Sequence, residues 1–499
     1  MSRREREREL KFTPGPEFRA DEALRHLDPL RGGEPTSRTL RATYFDTSDL
    51  RLARAGASLR WRDDQGWMVK LPAAGGGGGM LARDELSVAG EQPGGPPPEA
   101  LDLVDALVRG AFVSVVAELV TVRNRVDLLD GDGRKLAELV DDEVSVLDGP
   151  HLTRHFRELE VEFTDDAPRD LPARVVDAIA AAGAGTPDPI PKIVRALGPR
   201  ATGAPDLVET PALDEASAPV EVLRAAICRS TRRLLAHDPG VRLGIDAEDV
   251  HQARVATRRI RSDLRTFRAV VDPVWDAALR GELQWLGRLL GVVRDTDVLL
   301  DRLERRLVAL DPTDADAGHD LLAGLHASRD AARVELLAAM RSPRYRTLIE
   351  RLLEACHRVP GPPEATDLGV EIADVVRAPW RKLRRAADAL TDGSPDPDLH
   401  HVRILAKRCR YAAEAVAPAL GRDAARFASR VADLQDVLGE HQDAVVAGQW
   451  LRRHAGDNLP VAFVAGELAM LERAAADASR ELWPGAWSAA RARRLRRWM

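Results

Sequence analysis

The chain has 499 residues, 44% hydrophobic and 30% charged, with 73 Lys plus Arg against 79 Asp plus Glu. This composition excludes a disordered or collagen-like chain, and the length exceeds what one core of roughly 100 to 200 residues requires, so at least two domains are expected. The net charge of -6 does not exclude a polyanionic partner, because a ligand feels the local field within about a Debye length, roughly 8 Å in physiological salt.

The opening MSRREREREL lacks the apolar stretch of a signal peptide, and no apolar run approaches ~18 residues anywhere, so neither secretion nor a membrane partner is expected. Residues 1–200 carry short segments alternating with period 2: Glu5 to Phe12, Ser58 to Leu71, Leu119 to Leu129, Lys135 to Val146 and Glu158 to Phe163. Gly75 to Gly79 reads as a hairpin loop and Gln92 to Pro98 as a second loop. Together they predict an antiparallel β-barrel whose two faces do different jobs. Glu5, Glu7, Glu9 and Lys11 share parity, so they project to one side of a strand. Such a face is either solvated or the lining of a polar lumen. Other segments repeat the pattern: Arg60 with Arg62, Lys70, Arg83 with Glu85, Arg123 with Arg125, Glu138 with Asp142, and Glu158 with Glu160 and Glu162. Acids and bases mixed on one barrel face suit a lumen where cations hold a triphosphate and carboxylates hold Mg²⁺ or Mn²⁺. Phosphoryl transfer to water needs mainly positioning and neutralisation of charge.

At these residues the chain resembles the CYTH, or triphosphate-tunnel, family over about residues 3–200. Glu7, Glu9 and Lys11 match its E-x-E-x-K signature, YFDTSDLRLARAGASLRWR from Tyr44 matches the approach to its R-x-R strand, and Lys192 with Arg195 fits its closing segment. The resemblance implies catalytic roles for Glu7, Glu9 and Lys11, and metal ligation by Glu7, Glu9, Glu85 and one or two of Glu158, Glu160 and Glu162, with Glu158 and Glu160 foremost. It implies phosphate contacts from Arg60, Arg62, Lys70, Arg83, Arg123, Arg125 and Lys192. Ser87 stands where a further carboxylate is common. Substrates of such tunnels include inorganic triphosphate, thiamine triphosphate and nucleotides.

Residues 201–217, rich in Pro and Gly, read as a linker. From 218 to 499 the sequence turns to Ala, Leu and Arg with helical spacing, broken at Asp311 to Gly318, Val359 to Gly369 and Asp392 to Pro397. An internal repeat lies here. His251, Arg254, Arg258, Arg259 and Arg261 recur as His400, Arg403, Lys407, Arg408 and Arg410, both fitting H-x2-R-x3-[RK]-R-x-R. LLGVVRD ending at Asp295 answers VLGEHQD ending at Asp443. The repeats span about 218–358 and 365–499. At about 100° per residue, the histidine and three of the cations fall within an arc of roughly 80° on one helix face. Asp246 and the pair Asp396-Pro397 read as helix starts, placing each histidine where the helix dipole favours an anion. Arg229, Arg232, Arg233, Arg381, Lys382 and Arg385 could extend the stripe.

This half resembles the CHAD family, a helical domain with a conserved histidine, over about residues 218–499. The resemblance implies a duplicated four-helix bundle around a basic surface and the binding of inorganic polyphosphate. The expected whole is an α+β multidomain chain. Its barrel cleaves inorganic triphosphate or short polyphosphate, or serves as a non-catalytic binder, and its helical half docks on polyphosphate. Aromatics make up only 4% of residues, which argues against a nucleic-acid partner read by base stacking. Three widely spaced cysteines, Cys228, Cys356 and Cys409, argue against a disulfide framework and fit the cytoplasm, with polyphosphate granules as an expected station.

Overall fold

The computed structural model describes residues 3–28, 30–73, 79–91, 94–362 and 371–499. Most of the loop expected at 75–79, the start of the one at 92–98 and most of the break at 359–369 lie outside these residues. The chain forms two compact units, one ending at Asp206 and the other beginning at Leu207.

The first unit contains β1 (Arg3–Phe12), β2 (Arg31–Gly32), β3 (Thr36–Thr47), β4 (Ser58–Arg62), β5 (Gly66–Pro72), β6 (Met80–Val88), β7 (Val113–Leu129), β8 (Lys135–Asp148) and β9 (His151–Phe163). The order β7-β3-β4-β5-β6-β1-β9-β8, with β8 paired back onto β7, closes eight antiparallel strands into a barrel; β2 only extends the β7 edge. Among the described residues five α-helices accompany it: α1 (Ala20–Arg25), α2 (Arg51–Arg54), α3 (Pro98–Val108), α4 (Leu171–Ala181) and α5 (Lys192–Leu197).

The barrel keeps its oil outside. Leu10 and Phe12 of β1 and Leu159 and Val161 of β9 pack with Val175 and Ile179 of α4, while the alternate residues Glu9, Lys11, Glu158 and Glu160 are buried on the other side of the same strands. A separate cluster joins Ala42 and Tyr44 of β3, Leu119 of β7 and Val144 of β8 to Ile193 and Ala196 of α5. Because Tyr44 and Ile193 also line the lumen, α5 fills one end of it.

One strand expectation changes: the segment 58–71 is two strands joined by a turn at 63–65. The unanticipated β3 carries no clear period-2 signal because its first four residues are exposed and its last four are all buried. Asp46, at the end of β3, explains the local turn. Its buried carboxylate accepts hydrogen bonds from the backbone N–H groups of Thr47 (2.7 Å), Leu52 (2.9 Å) and Ala53 (2.9 Å), fixing the start of α2 and delivering the chain into β4.

The second unit is helical: α6 (Pro219–Leu243), α7 (Ala247–Thr266), α8 (Pro273–Leu307), α9 (Ala315–Met340), α10 (Pro343–His357), α11 (Asp374–Ala387), α12 (Asp396–Leu420), α13 (Arg422–His454) and α14 (Leu459–Ala490). The second repeat supplies four helices, α11 to α14. In the first, the position of the fourth helix is shared by α9 and α10, with Pro343 opening the new helix and Ser342 capping it on the N–H of Tyr345 (3.4 Å). Leu300 and Leu303 of α8, Leu322 of α9, Leu451 of α13 and Leu468 of α14 share one core, so the two repeats are not separable domains. Among the described residues no helix is long and apolar enough to cross a membrane.

Candidate functional site

Strand register assembles the barrel site. Across β1 and its neighbours, Glu7 stands opposite Arg83, Lys11 opposite Glu160 and Glu9 opposite Glu162. Two carboxylates directly opposite each other repel. Glu7, Glu9 and Glu162 bring one carboxylate oxygen each within 4.8 Å of one another, and among the described residues they are the one acidic group with metal-ligand spacing. Burial, with Glu7 and Glu160 adding repulsion, pushes the Glu162 carboxyl up to about 8. An oxygen-seeking dication would relieve that repulsion, so the donor set fits Mg²⁺ or Mn²⁺.

Glu85, Glu158 and Glu160, also expected among the metal ligands, are paired with cations, as Glu7 and Glu9 are. Glu85 meets Lys70, which also holds Glu7 at 3.0 Å. Glu158 and Glu160 share Lys11 and Lys192, Arg195 reaches Glu158 at 2.9 Å, and Arg123 spans Asp142 (2.7 Å) and Glu160 (3.2 Å). Burial would lower the Lys11 ammonium, but Glu158, Glu160 and Glu9 together hold it well above its ordinary value. Lys11 is thus a permanent cation pinned among carboxylates. Arg83 bridges Glu7 (3.6 Å) and Glu9, so it stands beside the acidic trio.

The remaining wall is cationic. Arg60 touches the Tyr44 hydroxyl at 3.4 Å, Arg62 pairs with Asp64 at 2.5 Å, and Arg125 pairs with Glu138 at 3.0 Å and Asp127 at 3.1 Å. Arg60 keeps its Nε buried without a protein acceptor. Although burial would raise it, Arg60 and Lys192 bring the Tyr44 hydroxyl below its ordinary value. The lumen, about 460 Å³, is bounded by this wall on one side and by Glu7, Glu85 and Glu162 on the other. Arg38 of β3 lines it too. Neither Arg38 nor Tyr44 was expected to face the lumen, because the pattern of β3 is hidden; once β3 pairs with β7, Arg38 lies opposite Arg123.

In the helical unit the two repeat motifs occupy α7 and α12, each histidine standing in the second turn of its helix. Asp246 caps α7 through the N–H of Glu248 at 2.8 Å. Asp396 does not cap α12; it pairs with Arg480 at 2.5 Å and His441 at 3.2 Å. Equivalent arginines are held alike. Arg254 lies against Gly291 and pairs with Asp295 at 2.5 Å, while Arg403 lies against Gly439 and faces Asp443 at 3.7 Å. The repeated downstream aspartates therefore orient the repeated arginines.

The two rows converge. Burial and the charges of Arg403, Arg258 and Arg254, opposed by Asp443, drive the Lys407 ammonium down to about 7. Burial, together with Arg294 at His251 and Arg403 at His400, lowers both imidazoles from their ordinary value. The Nε atoms of Arg258 and Arg403 and the Nδ1 of His400 are buried without a protein hydrogen-bond partner. Donors left this way point to an anion that completes them. Arg258 and Arg259 lie 5.6 and 5.2 Å from the Tyr411 ring. Arg259 and Arg410 are drawn aside by Glu414, at 2.5 and 2.7 Å, whereas Arg261 and Arg408 face a basic cavity of about 300 Å³.

Residues 5–184 match the CYTH domain family and residues 225–452 the CHAD domain family. The uncharacterized protein MT2285 of Mycobacterium tuberculosis is 33% identical over 479 residues, covering 89% of this chain and 87% of its own. The chain belongs to the proteins that join a CYTH domain to a CHAD domain. A stretch of 69 residues is 45% identical to thiamine-triphosphatase of Homo sapiens, covering 14% of this chain and 27% of that one. The chain aligns with PptA from Streptomyces chartreusis at 25% identity and a TM-score of 0.46, over 55% of this chain and all of that one. In this CYTH-CHAD protein both the acidic trio and the paired histidine helices fall inside the matched residues.

Proposed function

We propose that the CYTH unit hydrolyses inorganic triphosphate or short polyphosphate with Mg²⁺ or Mn²⁺, and that the CHAD unit binds inorganic polyphosphate. The observation that carries the reading is the polarity of the lumen, with Glu7 and Glu162, grouped with the buried Glu9, on one wall and Arg60, Arg62 and Arg125 on the other. Glu7, Glu9 and Glu162 would hold the metal, which when bound neutralises phosphate oxygens and favours attack at phosphorus. Arg60, Arg62, Arg123 and Arg125 bind the phosphate chain, with Arg60 placing its unpaired Nε toward it. Lys70 and Lys192 neutralise the charge that builds on the departing phosphate. Lys11 and Arg83 pair with Glu9 and orient it. Water adds to the terminal phosphorus, the P–O–P bridge breaks, and orthophosphate and diphosphate result.

Among the lining residues Tyr44 is the single aromatic, so the described lumen offers little stacking surface for a base or thiazolium ring. That favours inorganic triphosphate over thiamine triphosphate and nucleotides. A cytoplasmic station fits three cysteines that are all free and buried. The test is phosphate release from tripolyphosphate, thiamine triphosphate and ATP with Mg²⁺ or Mn²⁺, comparing wild type with Glu7→Gln/Glu9→Gln. Metal-dependent release from tripolyphosphate, lost in the variant, is expected. Binding of tripolyphosphate with no release under either metal would leave a non-catalytic binder instead.

A further inference from the structure

The offset of 149 residues relating His251 to His400 also relates Ser262 to Tyr411, Arg265 to Glu414 and, on the preceding helices, Arg233 to Lys382 and Arg229 to Ala378. The repeat therefore predicts two equivalent chambers, one at each end of the α7–α12 contact. The structure contains both, and they are unequal. Beside α11 the chamber measures about 580 Å³ and is lined by Arg265, Arg268, Arg280, Lys382 and Arg408, with Asp374, itself paired with Arg377, as its one carboxylate, above a floor that includes Leu405. Beside α6 its counterpart is about 80 Å³, bounded by Arg229, Arg233, Arg259, Asp263, Tyr411 and Glu414.

The difference lies in two substitutions within the repeat. Where Ser262 leaves room, Tyr411 puts a ring under Arg258 and Arg259. Where Arg265 adds a cation, Glu414 consumes the charges of Arg259 and Arg410. Among the described residues no carboxylate lies within salt-bridge distance of Arg265, Arg268, Lys382 or Arg408, and all four are exposed; Arg280 alone is paired, with Asp276. The open chamber is continuous with the central groove, for the intermediate cavity shares Ser262, Arg265, Arg280 and Arg408 with it and Arg258 and Lys407 with the histidine rows.

We infer that the phosphate groove is one-ended: a chain bound at the histidine rows runs out past Arg261 and Arg408 into the α7–α11–α12 chamber, where Arg265, Lys382 and Arg268 hold further phosphates, and is stopped in the other direction by Tyr411 and Glu414. This rests on the reading that the CHAD unit binds polyphosphate, and it adds direction and a subsite to that reading. Short chains would fill the central row; long ones would need the chamber.

The test uses the full-length protein with two probes, a chain of about ten phosphates and one of about one hundred, over a salt series. Arg265→Gln/Lys382→Gln, two exposed positions, should weaken the long chain at least tenfold and lower the slope of log K against log salt by about 1.4, two contacts at roughly 0.7 each. The short chain should lose less than threefold. Glu414→Gln should act oppositely, strengthening the long chain and steepening its slope by releasing Arg259 and Arg410. Wild-type long-chain affinity and slope in the double variant, alongside loss of all binding in Arg254→Gln/Lys407→Gln, would overturn the chamber and leave polyphosphate binding standing. Absence of binding by the wild type would overturn both.

Discussion

Lys407 offers a measurable consequence of the converging rows. Its ammonium, buried and crowded by Arg403 on its own helix and by Arg254 and Arg258 on α7, with only Asp443 of α13 in opposition, is held near 7 against an ordinary 10.5. At pH 8.5 the unliganded protein therefore carries a neutral amine there. A polyanion in the groove reverses the local field, so the folded, liganded lysine regains its proton. The sign follows: binding takes up a proton, and affinity is greatest below pH 7 and falls as pH rises. Because one proton is linked to binding, affinity should drop by up to about tenfold, or about 1.36 kcal/mol, for each step of one in pH between 7 and 9. Long-chain polyphosphate at fixed ionic strength is the right ligand, because its internal phosphates are strong acids and do not titrate in this window. His251 and His400, both lowered from an ordinary 6.5, titrate below it. Calorimetry at pH 8.5 in buffers of differing ionisation enthalpy should report close to one proton taken up. Lys407→Arg restores the residue that the first repeat carries at this position, Arg258, and should flatten the profile while keeping binding. Equal pH slopes in wild type and Lys407→Arg would refute the argument.

Two further outcomes concern the barrel. Glu162→Gln should raise the Mn²⁺ concentration needed for half-maximal binding at pH 8 by about tenfold or more, measured by electron paramagnetic resonance of free Mn²⁺. In the wild type that affinity should strengthen as pH rises toward 8, because the metal must displace the proton held on Glu162. Asp46→Ala strands three backbone donors beside a buried site, costing roughly 3 kcal/mol or more. In calorimetry the melting transition of the first unit should fall by about 6 to 12 °C, with that of the second unit unchanged.

How far the site could be read in advance depended on whether function and period coincided. In β1 and β9, Lys11, Glu160 and Glu162 alternate with the apolar Leu10, Phe12, Leu159, Val161 and Phe163, and Glu7, Glu9 and Glu158 keep the same parity, so charge itself revealed the lumen face. In β3 the inward positions change from Arg38 to Tyr44 as the strand descends from the open mouth to the end filled by α5, and the alternation dissolves. Which carboxylates share an ion was equally hidden. Parity shows that Glu158, Glu160 and Glu162 face inward, but only cross-strand register decides that Glu162 meets Glu9 while Glu160 meets Lys11. Sequence position along one strand thus separated a metal-ligand candidate from two ion-pair partners a single pleat away.

The helical unit shows the converse limit. A repeat is legible because the same physical task was copied, and the copied residues, His251 with His400 and Arg254 with Arg403, are found in matching surroundings. What the repeat cannot announce is where the copies have diverged for a purpose. Arg265 and Glu414 occupy equivalent positions with opposite charge, and only packing shows the result: an open, cationic chamber at one end and a neutralised, ring-filled one at the other. A symmetric groove would let an extended polymer slide through in either direction. Breaking the symmetry at two residues of each helix gives a linear ligand a single way in, so the divergence between the copies, more than their likeness, sets how the chain would hold its polymer.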